Sequence, residues 1–142
     1  MQYTTKAFLV RYYETDKMGI VHHSNFLRYL EIARLEWLNK LGLDYSEIEK
    51  NGIILPVVDI NISYKQPARY GDVLRVQVFV KNRPKVTIDF EYKIINQFNK
   101  LICVAQTKIC FLNEKTRKPI KCPENILNNF IIWTINFNQV IT

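Results

Sequence analysis

The residues best suited to chemistry lie in one stretch, residues 11–26, which carries two carboxylates, two histidines and a glycine. This stretch leads into a predicted helix, because Ser24 or Asn25 is a good N-terminal cap. Free N–H groups and the positive dipole end of a helix start stabilise a developing oxyanion. Asp16 lies shortly before that start, and Gly19 permits a tight turn. The pattern therefore predicts a carboxylate that faces an oxyanion site.

These residues also have ordinary structural explanations. Most Asp residues in such loops accept hydrogen bonds from nearby backbone N–H groups, and Asp16 fits that pattern. His23 suits substrate positioning or orientation of Asp16, but a histidine before a helix is often a capping or packing group. Glu31 and Arg34 lie three residues apart on the predicted helix, where a structural ion pair is the default interpretation. The sequence alone leaves these alternatives open.

Apolar residues recur at helical spacing directly after this stretch. They form one stripe of about four turns, made of Phe26, Leu30, Ala33, Trp37 and Leu41. The stripe predicts a helix over residues 24–41 that ends at Gly42, and we interpret it as core rather than as a cofactor site. A short second helix is predicted at roughly residues 45–50.

The remaining elements alternate in a period of two, which is typical of strands. Before the helix, residues 5–13 carry bulk on both faces, as a central strand would. After it, four half-buried strands are predicted in the segments 58–65, 74–80, 86–94 and 101–111. One striped helix needs a sheet to cover it. The sequence therefore predicts an α+β fold with a curved, five-stranded antiparallel sheet wrapped around a long central helix.

Length and composition bound the organisation of the chain. Its 142 residues, 48% of them apolar, fit a single domain over residues 1–142. Residues 130–142 are an atypical tail, for which an edge strand, a partner-facing segment and disorder are all compatible with the sequence. We expect neither a signal peptide nor a membrane span. Three cysteines without metal-ligand spacing indicate reduced thiols in the cytoplasm.

The stretch around Asp16 resembles a known family motif. The pattern R-x-Y-E-x-T-D-x-x-G-x-V-x-H, followed by a helix with E-x-A-R-x-E, is similar to the 4-hydroxybenzoyl-CoA thioesterase-like branch of the hotdog-fold superfamily, and in particular to the acyl-CoA thioesterases associated with the Tol-Pal system. The resemblance covers about residues 5–122. This chain lacks the acidic residue usual between Glu14 and Thr15, and it has His22 where an aromatic residue is usual. The matching residues are Arg11, Tyr13, Glu14, Thr15, Asp16, Gly19, Val21, His23, Phe26, Glu31, Ala33, Arg34 and Glu36.

The resemblance implies a hotdog fold and hydrolysis of acyl-CoA thioesters to free acid and coenzyme A. It implies that Asp16 is the nucleophile or general base, and that the backbone N–H near His23 polarises the thioester carbonyl. Coenzyme A is part of the substrate, so no separate cofactor and no metal are expected, and acyl carrier protein is an alternative donor. The substrate-binding candidates around this point are Gly19, Val21, His22, Ser24 and Asn25.

A basic turn, Lys81-Asn82-Arg83-Pro84-Lys85, separates two of the predicted strands. As an ordinary hairpin turn it would be solvated, and its charges would discourage edge pairing. Members of the family place basic residues at about this point for the nucleotide end of coenzyme A. Arg83 and Lys85 therefore resemble a clamp for the phosphates, and we favour that interpretation.

Two other functions compete with thioester hydrolysis. A hotdog dehydratase acting on 3-hydroxyacyl thioesters needs a His base and a carboxylic acid across the β-carbon, and His23 beside Asp16 superficially offers both. A nucleic-acid-binding module is encouraged by the net charge of +7. No nucleic-acid motif is present, however, and the basic residues are scattered, so we expect no nucleic-acid partner.

We expect the chain to form a homo-oligomer. A thin sheet over one helix leaves strand edges exposed, and edges are usually managed by pairing. Hotdog proteins pair two sheets edge to edge and commonly form dimers of dimers. The resemblance therefore implies a dimer at minimum and favours a homotetramer, with active sites at the subunit interface.

Overall fold

A computed structural model of the chain describes residues 1–141, without the side chains at positions 137, 140 and 141. Helix α1 spans Asn25–Lys40, which confirms the predicted helix to within one residue at each end. Its apolar stripe is buried, and Trp37 is only 1% exposed. Gly42 ends the segment at φ 79°, a left-handed conformation that glycine adopts without steric cost.

Eight strands and two further helices complete the described part of the chain. They are β1 Gln2–Thr4, β2 Phe8–Leu9, α2 Tyr45–Lys50, β3 Ile53–Ile54, β4 Val57–Tyr64, β5 Val73–Phe79, β6 Thr87–Ile95, β7 Leu101–Cys110, β8 Leu112–Asn113 and α3 Glu124–Ile141. The predicted second helix and the four predicted strands after it are confirmed, as α2 and β4 to β7.

The main sheet has the strand order β1-β5-β6-β7-β4, and β2 also pairs with β5. Every pairing in it is antiparallel, while β3 and β8 form a separate two-stranded sheet. The α+β class and the antiparallel sheet are confirmed. The sheet has six strands rather than five, because the segment before α1 contributes two short strands. The core lies between α1 and the buried residues of β5, β6 and β7.

The predicted central strand over residues 5–13 is wrong in position and extent. The segment contributes β1 and β2 beside β5, and then Tyr12–Glu14 forms a 3-10 turn. Tyr12 and Tyr13 are 77% and 74% exposed. Large side chains on both faces of a segment indicate a central strand only if the rest of the protein covers both faces. Here the rings of Tyr12 and Tyr13 face solvent.

Strand β4 lies at an edge of the sheet, although it precedes β5 in the sequence. It pairs with β7 from Val57 opposite Ile109 to Tyr64 opposite Cys103, and within residues 1–141 it has no second neighbour in the sheet. Its exposed side carries apolar groups, including Val58 and Ile60. A long apolar edge of this kind is a template for pairing with another strand.

The tail expected from residue 130 onwards lies in helix α3, as far as the structure describes it, and not in an edge strand. The first turns of α3 bury Ile126 and Phe130 in the core, and Lys40 Nζ lies 5.9 Å from the centre of the Trp133 ring. The Asn-rich sequence has a low helix propensity, so burial of one face stabilises this helix. None of the helices in the described residues is both long and apolar enough to cross a membrane.

Candidate active site

The loop that carries Asp16 is closed by its own backbone hydrogen bonds. The Asp16 N–H donates to the Ile20 carbonyl at 2.9 Å, and the Gly19 N–H donates to the Asp16 carbonyl at 3.0 Å. Gly19 has φ 75°, so this turn requires the left-handed conformation that favours glycine. Gly19 therefore shapes the loop through its backbone.

One carboxylate oxygen of Asp16 also holds this loop. Its Oδ1 accepts a hydrogen bond from the Met18 N–H at 2.8 Å and a longer one, 3.5 Å, from the Ile20 N–H. Oδ1 therefore has the structural role considered for Asp16 from the sequence, that of accepting hydrogen bonds from nearby backbone N–H groups. Within residues 1–141, Oδ2 accepts no hydrogen bond from the protein, so one oxygen orients the carboxylate while the other is available for chemistry.

Glu14 anchors the loop to helix α1. Its side chain is buried and accepts a hydrogen bond from the Arg11 N–H at 2.7 Å. Its carbonyl oxygen accepts from the His22 N–H at 2.9 Å and from Asn25 Nδ2 at 2.8 Å. The buried Tyr29 hydroxyl lies near the Glu14 carboxylate, and burial together with that negative charge raises the pKa of Tyr29. Both ends of the loop are thus fixed before any substrate binds.

His23 lies at the start of α1, where the sequence predicts an oxyanion site. Its carbonyl oxygen accepts a hydrogen bond from the Tyr64 hydroxyl at 3.1 Å. Its N–H donates to no other group within residues 1–141. The neighbouring His22 is engaged with Ser24, since Nδ1 lies 2.7 Å from the Ser24 hydroxyl and accepts from the Ser24 N–H at 3.2 Å. The free N–H at the helix start is therefore that of His23.

A cavity of about 410 Å³ joins these groups. Of the sequence-predicted residues, Asp16, Val21 and His23 line it. Gly19, His22 and Ser24 lie in the surrounding loop and Asn25 begins α1, and the hydrogen bonds above show what these residues hold. Sequence reasoning missed four lining residues from the end of β4 and the turn beyond it, namely Tyr64, Lys65, Gln66 and Pro67. Alternation along β4 shows only that a strand is present, and nothing in it indicates that its end reaches the start of α1.

The proposed phosphate clamp lies at the other end of the sheet. Arg83 and Lys85 are exposed in the turn between β5 and β6, and Thr87, which follows, is opposite Cys110 at the end of β7. Tyr64 is opposite Cys103, seven residues earlier in β7. At roughly 3.4 Å per residue, the two ends are about 20–25 Å apart. The structure of one chain therefore does not bring the clamp and Asp16 together.

The expected ion pair between Glu31 and Arg34 is not among the ion pairs of residues 1–141. Arg34 turns instead towards the sheet, where Nη1 donates to the hydroxyl of Tyr92 at 3.4 Å. Helical spacing permits the ion pair, but a buried hydroxyl under the helix competes for the guanidinium. Across the same described residues, no group of three His, Cys, Asp or Glu side chains is placed to hold a metal ion.

Comparisons with known proteins identify the family. Residues 10–130 match the model of the thioesterase-like superfamily. The chain belongs to this superfamily. YneP of Bacillus subtilis, which is provisionally named as an acyl-CoA thioesterase, is 38% identical to this chain over 121 residues. The match covers 85% of this chain and 88% of YneP. The acyl-CoA thioester hydrolase YbgC of Escherichia coli is 26% identical over 121 residues, covering 85% and 90%. This superfamily member also resembles the crystal structure of the DHNA-CoA thioesterase of Staphylococcus aureus, with a TM-score of 0.81, 33% identity and coverage of 98% and 90%.

Proposed function

We propose that this protein hydrolyses acyl-CoA thioesters to a free acid and coenzyme A, with Asp16 as the catalytic carboxylate. One observation carries the proposal: Asp16 and His23 line one cavity at a helix start, and within residues 1–141 the Asp16 Oδ2 accepts no hydrogen bond and the His23 N–H donates none. Family membership supports thioester chemistry, and two of the relatives compared above carry acyl-CoA thioester hydrolase names. The reaction as proposed needs no separate cofactor, because coenzyme A arrives with the substrate.

The geometry supports two routes to the same products. In the first, Asp16 Oδ2 attacks the thioester carbonyl, the C–S bond breaks, and the thiolate of coenzyme A leaves; water then hydrolyses the resulting anhydride. In the second, Asp16 removes a proton from water, which attacks the carbonyl directly. In both, the carbonyl oxygen becomes negative next to the His23 N–H and the positive dipole end of α1.

We further propose a hotdog-type dimer joined through β4. Its support is the unpaired apolar edge of that strand, since such edges are usually covered. Antiparallel pairing of two β4 strands about their midpoint sets Tyr64 beside Val57 of the partner subunit. The basic turn of one subunit then lies at the same end as Asp16 of the other. The clamp formed by Arg83 and Lys85 is therefore proposed to serve the partner's active site.

Three finer assignments belong to the same proposal. The nearest branch of the superfamily is that of the Tol-Pal-associated acyl-CoA thioesterases, on the basis of the motif from Arg11 to Glu36. A homotetramer forms from two dimers. A cytoplasmic location is supported by three free, buried cysteines, because reduced thiols are typical of that compartment.

The experiment is a panel of acyl-CoA and acyl carrier protein thioesters, varied in acyl length and aromaticity, with release of free thiol followed spectrophotometrically. We expect thiol release with at least one acyl-CoA. A 3-hydroxyacyl-CoA in the same panel tests the dehydratase alternative. Its dehydration by His23 and Asp16 would yield an unsaturated thioester and no free thiol. Binding of RNA or DNA with a steep salt dependence, and no thiol release from any thioester, would contradict the proposal.

A further inference from the structure

We propose that the cleft under the second half of α1 binds the acyl group, and that Arg34 selects acyl groups with a hydroxyl or carboxylate oxygen at their far end. This inference rests on the proposed thioesterase function. The cleft holds about 220 Å³ between α1, α2 and the start of β4. A cavity of roughly 150 Å³ accommodates a benzene ring. The cleft therefore suits a compact acyl group, such as one or two rings or a short chain.

The walls of this cleft are mainly apolar, with Trp37, Leu55, Ile88, Phe90 and Ile109 among the lining side chains. Trp37 and Phe90 meet edge to face, with ring centres 5.2 Å apart. Such walls bind an acyl body by excluding water from it. They do not by themselves distinguish one acyl group of this size from another, so selection depends on the polar groups present.

Arg34 is the cation that lines the cleft, and a buried pair of hydroxyls holds it there. Its Nη1 donates to the Tyr92 hydroxyl at 3.4 Å, and that hydroxyl lies 2.8 Å from Thr107 Oγ1. Tyr92 is 0% exposed and Thr107 is 4% exposed. Two hydroxyls buried in an apolar core cost free energy unless they bond to each other or to a third group. Their arrangement fixes the guanidinium between helix and sheet.

The charge of Arg34 has no carboxylate partner within the ion pairs of residues 1–141. A guanidinium has five N–H donors, and the described structure uses one of them, on Tyr92. Glu31 also lines the cleft, but it forms no ion pair with Arg34 within residues 1–141. A partly buried cation whose donors are mostly unused is destabilising by itself. An oxygen acceptor on a ligand would satisfy those donors, and a planar carboxylate would do so in pairs.

The cleft lies at the Val57 end of β4, whereas the Asp16 cavity lies at the Tyr64 end. In the proposed dimer the two strand ends are neighbours, so the cleft of one subunit faces the Asp16 of the other. A thioester carbonyl at Asp16 then directs its acyl group into the partner's cleft. The far end of a compact acyl group arrives at the guanidinium of Arg34 of the partner subunit.

The test uses substrate pairs that differ only in the distal oxygen: benzoyl-CoA against its 4-hydroxy and 4-carboxy derivatives, and butanoyl-CoA against succinyl-CoA. For the wild-type enzyme we expect kcat/KM to be at least about 10-fold higher for an oxygenated member, on the scale of a hydrogen bond to a charged group. Arg34→Gln should reduce that ratio to about one, because it removes the donors that distinguish the two members of a pair. Arg28→Gln, an exposed arginine on the same helix, should leave the ratio unchanged.

Tyr92→Phe separates selection from simple stabilisation. Tyr92 is a positioning residue for Arg34, so this variant should lower the ratio severalfold by freeing the guanidinium, even where the loss of Tm is small. It also replaces Arg34→Gln as the deciding variant if the latter does not fold. A wild-type ratio near one for every pair, or an unchanged ratio in either variant, would overturn the inference and leave thioester hydrolysis standing. Failure to hydrolyse any thioester would instead overturn the proposed function.

Discussion

The two ends of β4 differ in how their functional groups are held. At the Tyr64 end, Asp16 and His23 belong to one continuous segment that is closed by short-range hydrogen bonds. At the Val57 end, the polar groups come from separate elements: Arg34 from α1 and the basic turn from between β5 and β6. The first end is organised locally, whereas the second exists only because the sheet and the helix pack together.

In the proposed function, the Tyr64 end is the chemical end and the Val57 end is the recognition end. A reacting group must be oriented before substrate arrives, and the bonds around Glu14 and Asp16 do that within a dozen residues. Groups that recognise an acyl body or a phosphate act at a distance from the carbonyl, so they need not share a segment with it. Pairing through β4 would bring the two ends of different subunits into one site.

The largest effect should come from the chemical end. Asp16→Asn keeps the Oδ1 that accepts from the Met18 N–H, so the loop should keep its shape while the nucleophilic and basic oxygen is lost. We expect kcat to fall by about 10²-fold or more, with KM nearly unchanged, as measured by thiol release. His23→Ala should cost less, because alanine retains the backbone N–H.

Asp44→Asn is the matched control for that variant. Asp44 also accepts a hydrogen bond from the N–H two residues on, at 2.9 Å from Ser46, but it caps α2 and is exposed. Its replacement should leave kcat unchanged. Retention of most of the rate by Asp16→Asn would remove Asp16 from the mechanism.

The link between the two ends is tested at the β4 edge. A Val58→Lys/Ile60→Lys double variant places charges on the apolar edge and should block pairing. Light scattering should then report the single-chain mass of 16.9 kDa, and acyl-CoA hydrolysis should fall by about 10-fold or more because each site loses the partner's half. Phe98→Lys, at a side chain 71% exposed in the turn between β6 and β7, is the control. A wild-type monomer with full activity would contradict the linked arrangement.

A moderate effect is expected from the basic turn. Arg83→Ala/Lys85→Ala should raise KM for acyl-CoA by about 10-fold with little change in kcat, because phosphate contacts act on ground and transition states alike. The effect should vanish with an acyl-pantetheine substrate, which has no nucleotide. Lys115→Ala/Lys118→Ala, in an exposed turn after β8, should leave KM unchanged.

Mixed dimers show which subunit the clamp serves. If it serves the partner, a dimer of one Asp16→Asn subunit and one Arg83→Ala/Lys85→Ala subunit contains one complete site, and its KM should be that of the wild type. If the clamp serves its own chain, the mixed dimer contains no complete site, and the raised KM should persist.

The smallest effect is a loss of stability in alkali, shared by both ends. Burial raises the pKa of Cys103, opposite Tyr64, and of Cys122, beside Lys85, to about 11. The unfolded chain loses these protons at lower pH than the folded chain does, so the free energy of unfolding should fall between about pH 9 and 11. Urea titrations across that range should show this loss, and Cys103→Ala or Cys122→Ala should each reduce it. Equal slopes in all three proteins would contradict the assignment to these thiols.

Much of the chemical end was predictable from the sequence. A carboxylate, a glycine and a cap residue in sequence order before an apolar helical stripe fix a local geometry, because turns and helix starts depend on near neighbours. The helix bounds and the four later strands followed from periodicity for the same reason. The predicted central strand over residues 5–13 was wrong, because alternation shows which side chains are large and not whether another layer covers them.

The recognition end was decided by tertiary structure. Periodicity does not state which strands are neighbours, so the placement of β4 at an edge, and with it Tyr64 at the start of α1, required the folded sheet. The preference of Arg34 for Tyr92 over Glu31 depends on a hydroxyl 58 residues away in sequence. Helix α3 depends on a core that buries Ile126 and Phe130. The sequence by itself determined what is built from near neighbours, and the tertiary structure decided what depends on distant segments meeting.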